Sequence, residues 1–444
     1  MGIYRISRGE RGHPADGALL AGRYGRKTVY QLSIVIFVLG LVLATRAETA
    51  TQFVIARVVQ GGASGILGPL SIAILLDILP PPQHTRVNLM WSVTLMLGLL
   101  SGPSIGGWLS EYHGWHSIFY VSLPIAGSVF LAMALALPEK RAVQNPPFDF
   151  FGWATFSCGM IGLQMLLDGG ERLEWFDSAK IWAEAIASVI GFYSCLVHVL
   201  TTKAHFLDKA LFKDRNFVLS AIMYFAFGFV LLPTIALTSP MLDEILNYPA
   251  DTTGYMAIPR SLALVGALIL AGRIPARIDN RLPVAGGMAF VIYGNWCMLG
   301  YSPLMDWWPV LIAGMFQGAG LGILLPTLTK AAFGTLDPAI RAEGTVLFNL
   351  SRLYGSTIGI AVVLIFFYDN TQAMHLALAK NLAPYRAAAH VADSISRPAL
   401  AALNDAVTGQ AAFIGVVDQF KVTMIAMLIV SPLVLLLRKP RPAS

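Results

Sequence analysis

The sequence predicts an all-α bundle of membrane-spanning helices, and three observations support that prediction. Only 13% of the residues are charged and 56% are hydrophobic, whereas a soluble domain has about 25% charged residues. Apolar stretches long enough to cross a bilayer as helices recur along the whole chain. None of them shows the alternation of apolar and polar residues that is typical of a membrane barrel strand. We therefore predict a polytopic integral membrane protein.

A helix needs about 20 apolar residues to cross the hydrocarbon core, and this rule predicts about twelve transmembrane helices. The predicted spans are 28–45, 52–76, 87–109, 116–137, 149–167, 181–201, 217–238, 253–272, 283–302, 308–329, 344–368 and 412–437. The longest loop between them, 369–411, is rich in alanine and has apolar residues at helical spacing. It is expected to be extracytoplasmic and to form an amphipathic helix lying on the membrane face.

The distribution of Lys and Arg predicts the orientation. The loops on one side of the predicted spans hold eighteen of these residues and the opposite loops hold six. Because cytoplasmic loops carry the excess of positive charge, both termini are expected in the cytoplasm. The excess of Lys and Arg in the cytoplasmic loops accounts for the net charge of +6. No basic patch is interleaved with exposed aromatic residues, so we expect no nucleic-acid partner.

The sequence lacks the motifs of several other functional classes. It contains no HExxH, no GxSxG and no paired acids within a span, so an enzyme is not predicted. It contains no phosphate-binding loop, so an ion gradient is the expected energy source. Cys158, Cys195 and Cys297 lie in separate apolar stretches and suggest neither a disulfide framework nor a metal site. No cofactor is predicted.

Three glycine-containing or charged stretches follow one another in successive segments. The first is "LAGRYGRK", residues 20–27, in which Gly22 and Gly25 allow a tight turn and Arg23, Arg26 and Lys27 supply cations. Taken alone, this stretch is an ordinary positive-inside loop.

The second stretch, "ARVVQGG", places Arg57 and Gln60 inside a span. A charge at the bilayer centre costs at least about 2.5 kcal/mol. Residues three apart share a helix face, so Arg57 is expected to face a watered cavity with Gln60 and to pair with a carboxylate or a carbonyl.

The third stretch, "LGLLSGPSIGGWL", contains Gly98, Gly102, Pro103, Gly106 and Gly107. Glycines at this spacing leave a helix face without side chains, which lets another helix pack closely. Pro103 removes a backbone hydrogen bond and is expected to bend the helix.

The order of these stretches resembles the major facilitator superfamily. Residues 20–27 resemble its motif A, 57–61 its motif B and 98–107 its antiporter motif C. "GWHSIFYVSLP" (114–124), "LQMLLDGGERLEWFDS" (163–178), "LFKDRNF" (211–217), "FQGAGLGILLPTLTKAAF" (316–333) and "NLSRLYGSTIGIA" (349–361) are similar to stretches of the fourteen-span drug:proton antiporters, the EmrB/QacA group.

The resemblance implies two pseudo-symmetric halves that rock around a midplane site. Residues 18–148 then form the remainder of the amino-terminal half, 149–201 two linker helices, and 202–444 the carboxy-terminal half, after an atypical polar segment at 1–17. The implied function is proton-driven export of small hydrophobic or amphiphilic compounds across the inner membrane. A periplasmic adaptor protein is left open as a further partner.

The resemblance also implies roles for single residues. Arg57 and Gln60 would take part in proton coupling, and the alternative is a structural arginine that only ties helices together. Arg352, with Asn349 one turn before it, would line the carboxy-terminal cavity or make a structural pair at the cytoplasmic end.

Two further polar residues lie within the carboxy-terminal spans. Gln317 is expected to make a polar contact within this half of the bundle. For Arg260, which follows Pro259, a structural role with its head reaching the interface is expected.

The amino terminus departs from the family pattern. Relatives in this group have two more spans before motif A, and residues 1–16 match neither of them. We therefore expect a truncation, through gene decay or a misplaced start. The alternative to an exporter is then a remnant that does not transport.

Overall fold

The computed structural model describes residues 25–80, 83–136, 149–170, 173–202, 209–274, 279–337, 340–388 and 397–438. These ranges contain twelve long helices and no strand, and every predicted span falls on one of the helices. The helices are α1 (Arg26–Thr45), α2 (Ala50–Ile78), α3 (His84–His113), α4 (Ser117–Ala136), α5 (Phe150–Gly169), α6 (Ala179–Thr201), α7 (Arg215–Pro240), α8 (Ala250–Gly272), α9 (Arg281–Met298), α10 (Trp308–Phe333), α11 (Arg341–Ala388) and α12 (Arg397–Val430). The predicted atypical segment, 1–17, lies outside the described residues.

Polar caps mark the starts of several of these helices. The Thr49 side chain accepts a hydrogen bond from the backbone N–H of Gln52, and the Gln52 side-chain oxygen accepts one from the backbone N–H of Thr49. Asp149 caps α5 and Asp214 caps α7 in the same way, each through the backbone N–H three residues on. Each cap satisfies one of the free N–H groups at a helix start, so the apolar stretches become helices with defined beginnings.

Eleven helices of the described part are long and apolar enough to cross a membrane. The helix outside this set is α9, whose 18 residues include Arg281, Asn295 and three glycines. These residues lower its hydropathy, but α9 packs between α10 and α12 and buries Asn295 completely. The protein is therefore a multi-pass membrane protein, and one helix inside the bundle, α9, is less apolar than the other eleven.

The expectation of a separate amphipathic helix between the last two spans is wrong. Helix α11 continues without a break for 48 residues, to Ala388, which is about 72 Å at 1.5 Å per residue and far more than the roughly 30 Å hydrocarbon core. Asn370 contacts Asp418 of α12, and Gly415 lies against Thr371. From Asp369 to Lys380 the sequence has no glycine or proline to end the helix. Helix α11 is therefore still packed against α12 where it passes the end of its predicted span.

The carboxy-terminal region, α7–α12, contains a large continuous core. Helix α7 packs against α10, α11 and α12, while α10 packs against α8 and α9. Glycines allow these approaches: a Cβ on Gly228 would overlap the carbonyl oxygen of Arg352, and one on Gly322 would overlap that of Leu264. The backbones of neighbouring helices are therefore in direct contact.

The amino-terminal region, α1–α4, has two smaller cores. Helices α1, α2 and α4 bury one cluster around Tyr30 and Leu70 and another around Leu41 and Phe119. Helix α3 leaves this group and packs mainly against α8 of the carboxy-terminal region. The α3–α8 contact is therefore the main junction between the two regions.

The predicted linker helices, α5 and α6, pack chiefly against each other. Gly191 meets the backbone of Gly159, and Gly162 meets the backbone of Ser188. A hydrogen bond of 2.8 Å between His198 Nε2 and Asp149 Oδ1 joins the end of α6 to the start of α5. The pair therefore forms a hairpin within the bundle.

Candidate transport site

Arg57 lies on an exposed face of α2 and shares that face with Gln60, as the spacing predicts. Its Nη1 donates a hydrogen bond of 3.0 Å to Gln60 Oε1. The guanidinium also lies 4.9 Å from the ring centroids of Phe53 and Phe119, a geometry in which the ring faces attract the cation. No ion pair among the described residues includes Arg57. The charge is held in place by an amide and two rings.

The small residues of α1 let Gln60 approach closely. A Cβ on Gly40 would lie 3.0 Å from Gln60 Cβ and 3.1 Å from the carbonyl oxygen of Ala56. Helix α1 therefore packs against α2 at the level of Arg57 and Gln60. The polar groups of these two side chains lie on the side of α2 that faces away from α1.

The motif A stretch joins the start of α1 to the ends of two other helices. Gly25 precedes α1 with φ 88, a conformation that favours glycine. Arg26 forms an ion pair with Asp77 of α2, and Lys27 Nζ donates a hydrogen bond of 2.8 Å to the carbonyl of Ala134 in α4. Two further residues predicted in this loop, Gly22 and Arg23, lie outside the described residues.

The glycine stretch of α3 makes its tight contact at one end only. A Cβ on Gly107 would overlap the carbonyl oxygen of Ala250 in α8. Among the described residues, a Cβ on Gly98 or Gly102 would have no neighbour within 4 Å, and one on Gly106 would meet only a methyl of Ile118, at 3.8 Å. The expectation of close packing is therefore wrong at Gly98 and Gly102. Pro103 lies within α3.

Hydrogen bonds on both sides of Gly107 strengthen the junction with α8. The Ser104 hydroxyl donates to the carbonyl of Gly254 at 2.7 Å, and the Tyr112 hydroxyl donates to Asp251 Oδ2 at 2.9 Å. Gly272, near the other end of α8, lies against Leu89 near the start of α3. The two helices are thus antiparallel along their length.

Gln317 is completely buried in the carboxy-terminal core. Its Nε2 donates to Thr234 Oγ1 at 3.1 Å and to Asn295 Oδ1 at 2.5 Å. One amide therefore connects α10 to α7 and α9. The pattern "FQGAGLG" indicated Gln317, but Thr234 and Asn295 each stand as single polar residues in apolar stretches and gave no signal of their own.

Arg352 and Asn349 lie on α11. Arg352 is partly buried, close to the hydroxyl of the buried Tyr224. Asn349 is exposed, and its side chain donates to the carbonyl of Thr345 on its own helix. Within the described chain, no hydrogen bond or ion pair joins either residue to Arg57 or Gln60, so the amino-terminal and carboxy-terminal candidates form separate groups.

Arg260 differs most from expectation. Only 8% of it is exposed, so its head does not reach the membrane interface, and the prediction of snorkelling is wrong. It lines a cavity between α7, α8, α10 and the end of α9, together with Tyr301. The sequence signal was a charge in the middle of a span, directly after Pro259. In the part of the chain that is described, no group of three or more His, Cys, Asp or Glu could hold a metal.

A family model described as the Major Facilitator Superfamily matches residues 17–373. The chain belongs to the major facilitator superfamily. Its twelve helices agree in fold with an auto-inhibited peptide transporter of the POT family, at a TM-score of 0.59 and 15% identity over 96% of this chain and 87% of that one. A bacterial Spinster homologue in an inward-facing, occupied conformation aligns with a TM-score of 0.53 and 15% identity over 95% of this chain and 87% of that one.

This superfamily member is similar in sequence to several exporters. Multidrug export protein EmrB of Haemophilus influenzae is 27% identical over 82% of this chain and 72% of that protein. Fatty acid resistance protein FarB of Neisseria gonorrhoeae is 27% identical over 95% and 85%. Probable multidrug resistance protein EmrY of Escherichia coli is 26% identical over 97% and 86%. The chain is thus a major facilitator transporter homologous to multidrug export proteins.

Proposed function

We propose that this transporter exports hydrophobic or amphiphilic compounds across the inner membrane in exchange for protons, with both termini in the cytoplasm. The similar proteins EmrB and EmrY are named for multidrug export and multidrug resistance, and FarB for fatty acid resistance. The proposal of proton coupling rests mainly on one observation, the exposed guanidinium of Arg57 within a span. An ionisable group at membrane depth is functional by default.

The contacts of Arg57 suit a coupling role. Gln60 and the rings of Phe53 and Phe119 orient the guanidinium without neutralising its charge. A positive charge that comes close to a carboxyl group lowers the pKa of that group, and moving away restores it. Rocking of the two regions would therefore change the proton affinity of an acid near Arg57 during each cycle.

The arrangement of the helix ends supports the proposed orientation. Asn216, at the start of α7, exchanges two hydrogen bonds with the backbone of Arg438, which follows α12, and Lys330 donates to the carbonyl of Ile274. Arg281 donates to the carbonyl of Leu437. These cations lie at one end of the bundle, which is the expected cytoplasmic end.

The resemblance to EmrB-type exporters also suggests an adaptor protein as a partner of this transporter. The extension of α11 and α12 beyond the predicted spans, 369–388 and 397–411, lies on the extracytoplasmic side in this orientation. This extension is where an adaptor would dock.

The coupling role is tested with the full chain in proteoliposomes that carry an imposed pH gradient. Wild type, Arg57→Gln and Arg57→Lys are compared for gradient-driven dye movement, and Arg46→Gln removes a matched exposed guanidinium outside the spans. We expect Arg57→Gln to lose transport, Arg57→Lys to keep part of it, and Arg46→Gln to behave as wild type. Thermal unfolding should stay unchanged, because Arg57 is exposed. Equal transport by Arg57→Gln and wild type would refute the coupling role.

A further inference from the structure

The guanidinium of Arg260 is a buried charge near the middle of a membrane helix. Arg260 lies ten residues after the start of α8 and twelve before its end, and only 8% of it is exposed. Its Nε and Nη2 are buried and make no hydrogen bond to the described part of the chain. None of the ion pairs among the described residues includes Arg260. A buried charge without a counter-ion is strongly unfavourable.

Arg260 is held in position by the glycines of α10. A Cβ on Gly318 would overlap the carbonyl oxygen of Arg260, and one on Gly314 would lie 3.4 Å from Arg260 Cβ. The backbone of α8 and the stem of this side chain therefore lie directly on α10. Because the stem is fixed, the direction of the guanidinium is set before a ligand arrives, which reduces the entropy lost on binding.

A second buried donor lies beside the guanidinium. Tyr301, which follows α9, is 7% exposed, and its hydroxyl makes no hydrogen bond to the described residues. It is close enough to Arg260 for an electrostatic interaction. The ring of Phe420 in α12 packs edge-on against the Tyr301 ring, with the two centroids 5.8 Å apart. The phenol is therefore positioned from α12 and the guanidinium from α10.

Arg260 and Tyr301 line the same small cavity. Its volume is about 40 Å³, and one water molecule needs about 10–15 Å³. The cavity therefore accepts a few particles of the size of water and excludes organic molecules. Most of its remaining wall is apolar and comes from the ends of four helices, with Ile235, Leu242, Met256, Met298 and Val310 as the larger side chains.

The hydroxyl groups of the cavity wall use their protons elsewhere. Thr238 donates to the carbonyl of Thr234, Ser261 donates to the carbonyl of Ala257, and Thr253 donates to Asp243. The buried donors without a partner at this cavity are therefore the Nε–Nη2 edge of Arg260 and the phenol of Tyr301. Both donate hydrogen bonds, and one of them is positively charged, so together they suit an anion and not a cation.

We propose that the cavity is a binding site for a small inorganic anion of the size of chloride, which accepts hydrogen bonds from Arg260 and Tyr301. Water molecules alone would satisfy the free N–H groups but would leave the charge uncompensated in an apolar surrounding. A monatomic anion supplies the missing charge and fits the volume. Because the wall comes from α7, α8, α10 and the end of α9, the bound anion stabilises the contacts among these helices.

The test uses the purified full chain in a neutral detergent, with sodium chloride exchanged for sodium gluconate at constant ionic strength. Gluconate carries the same charge and is too large for the cavity. Thermal unfolding and equilibrium dialysis of radioactive chloride measure binding. The variants are Arg260→Met, Arg260→Gln and Tyr301→Phe. Arg273→Gln, which removes an exposed guanidinium just after α8, is the matched control.

We expect chloride to bind wild type and Arg273→Gln at a single saturable site and to raise their unfolding temperature, since a ligand of the folded state stabilises it. Arg260→Met and Arg260→Gln should each weaken chloride binding about tenfold or more, because the anion loses two charge-assisted hydrogen bonds. Tyr301→Phe removes one neutral donor and should weaken binding about fivefold. In gluconate, Arg260→Met should be at least as stable as wild type, since it removes an uncompensated charge.

Three results would overturn the inference. Equal unfolding temperatures of wild type in chloride and gluconate, with no saturable chloride binding, would leave Arg260 surrounded by water alone. Chloride binding unaffected by Arg260→Met, or by both Arg260→Gln and Tyr301→Phe if the first variant does not fold, would place the anion elsewhere. An equal loss of binding in Arg273→Gln and Arg260→Met would show a general effect of net charge. Binding is measured without a proton gradient, so each outcome is independent of the proposed export function.

Discussion

The amino-terminal region, α1–α4, and the carboxy-terminal region, α7–α12, contain helices of similar hydropathy that are packed very differently. In the most apolar stretch of each helix, 17% of the residues are buried in α2 and 6% in α3, against 61% in both α7 and α10. Apolar side chains of membrane helices are commonly exposed to lipid, so the difference in buried fraction does not by itself distinguish the two regions. The distribution of the glycines is more informative.

Glycine-rich faces occur in both regions but have different neighbours. Within the part of the chain that the structure describes, a Cβ added to the α2 glycines would meet nothing within 4 Å; these glycines are Gly61, Gly62, Gly65 and Gly68. On α10, Gly318 and Gly322 lie directly against the backbone of α8, and Gly320 lies against that of α9. The same pattern of small residues thus gives a close contact in one region and an open face in the other. The spacing shows that a helix can pack closely and does not identify its neighbour.

The largest effect is expected where a glycine of the carboxy-terminal core touches another backbone. Gly228→Leu would overlap the carbonyl of Arg352, which α7 and α11 cannot both accommodate. We expect a loss of about 3 kcal/mol or more of stability. Gly65→Leu in α2 is the matched change on an open face, and higher helix propensity should make it neutral or slightly stabilising. Thermal unfolding of both variants in detergent measures the difference, and equal destabilisation would show that the face of α2 is also packed.

A smaller effect is expected at the junction of the two regions. Gly107→Leu should push α3 away from Ala250, weaken the hydrogen bonds of Ser104 and Tyr112 to α8, and lower stability by about 1–3 kcal/mol. Gly102→Leu, 1.4 turns earlier on an open face, should do neither. Crosslinking between cysteines introduced at Leu89 and Gly272 reports whether the helices separate. Unchanged crosslinking and transport in Gly107→Leu would rule out a tight junction.

The smallest of these effects is expected in the buried polar network of the carboxy-terminal core. Gln317→Leu removes the donor that Asn295 and Thr234 share and leaves the acceptor of Asn295 unpaired. We expect a loss of about 1–2 kcal/mol. The double variant Gln317→Leu with Asn295→Leu should recover part of it, because neither amide of this pair then remains to lack a partner. A double variant no more stable than Gln317→Leu alone would contradict this account.

The two intramembrane arginines repeat the contrast between the regions. Arg57 is exposed and is held by an amide and two rings, whereas Arg260 is buried with two free nitrogens. The burial of Arg260 contradicts the predicted interfacial position of its head, whereas the expectation that Arg57 faces a watered cavity stays a prediction. Both arginines lie in apolar stretches, and hydropathy does not indicate in which direction a side chain points from its helix.

Local chemistry was sufficient for the helices and the family. Length and apolar composition located the twelve helices, side-chain caps explain several of their starts, and the order of the motifs indicated the superfamily. These properties depend on residues close together in the chain, so they can be read from it directly. The shared face of Arg57 and Gln60 belongs here too, because three residues of helix bring them together.

The tertiary structure alone decided which faces meet. It placed Gly107 and not Gly102 against α8, brought Thr234, Asn295 and Gln317 together from three helices, continued α11 to Ala388 and buried Arg260 beside a cavity. In a membrane every helix is apolar on most of its surface, and lipid is as apolar as another helix. Composition therefore cannot distinguish a lipid-facing side from a protein-facing one, and only the packing of the whole bundle makes that choice.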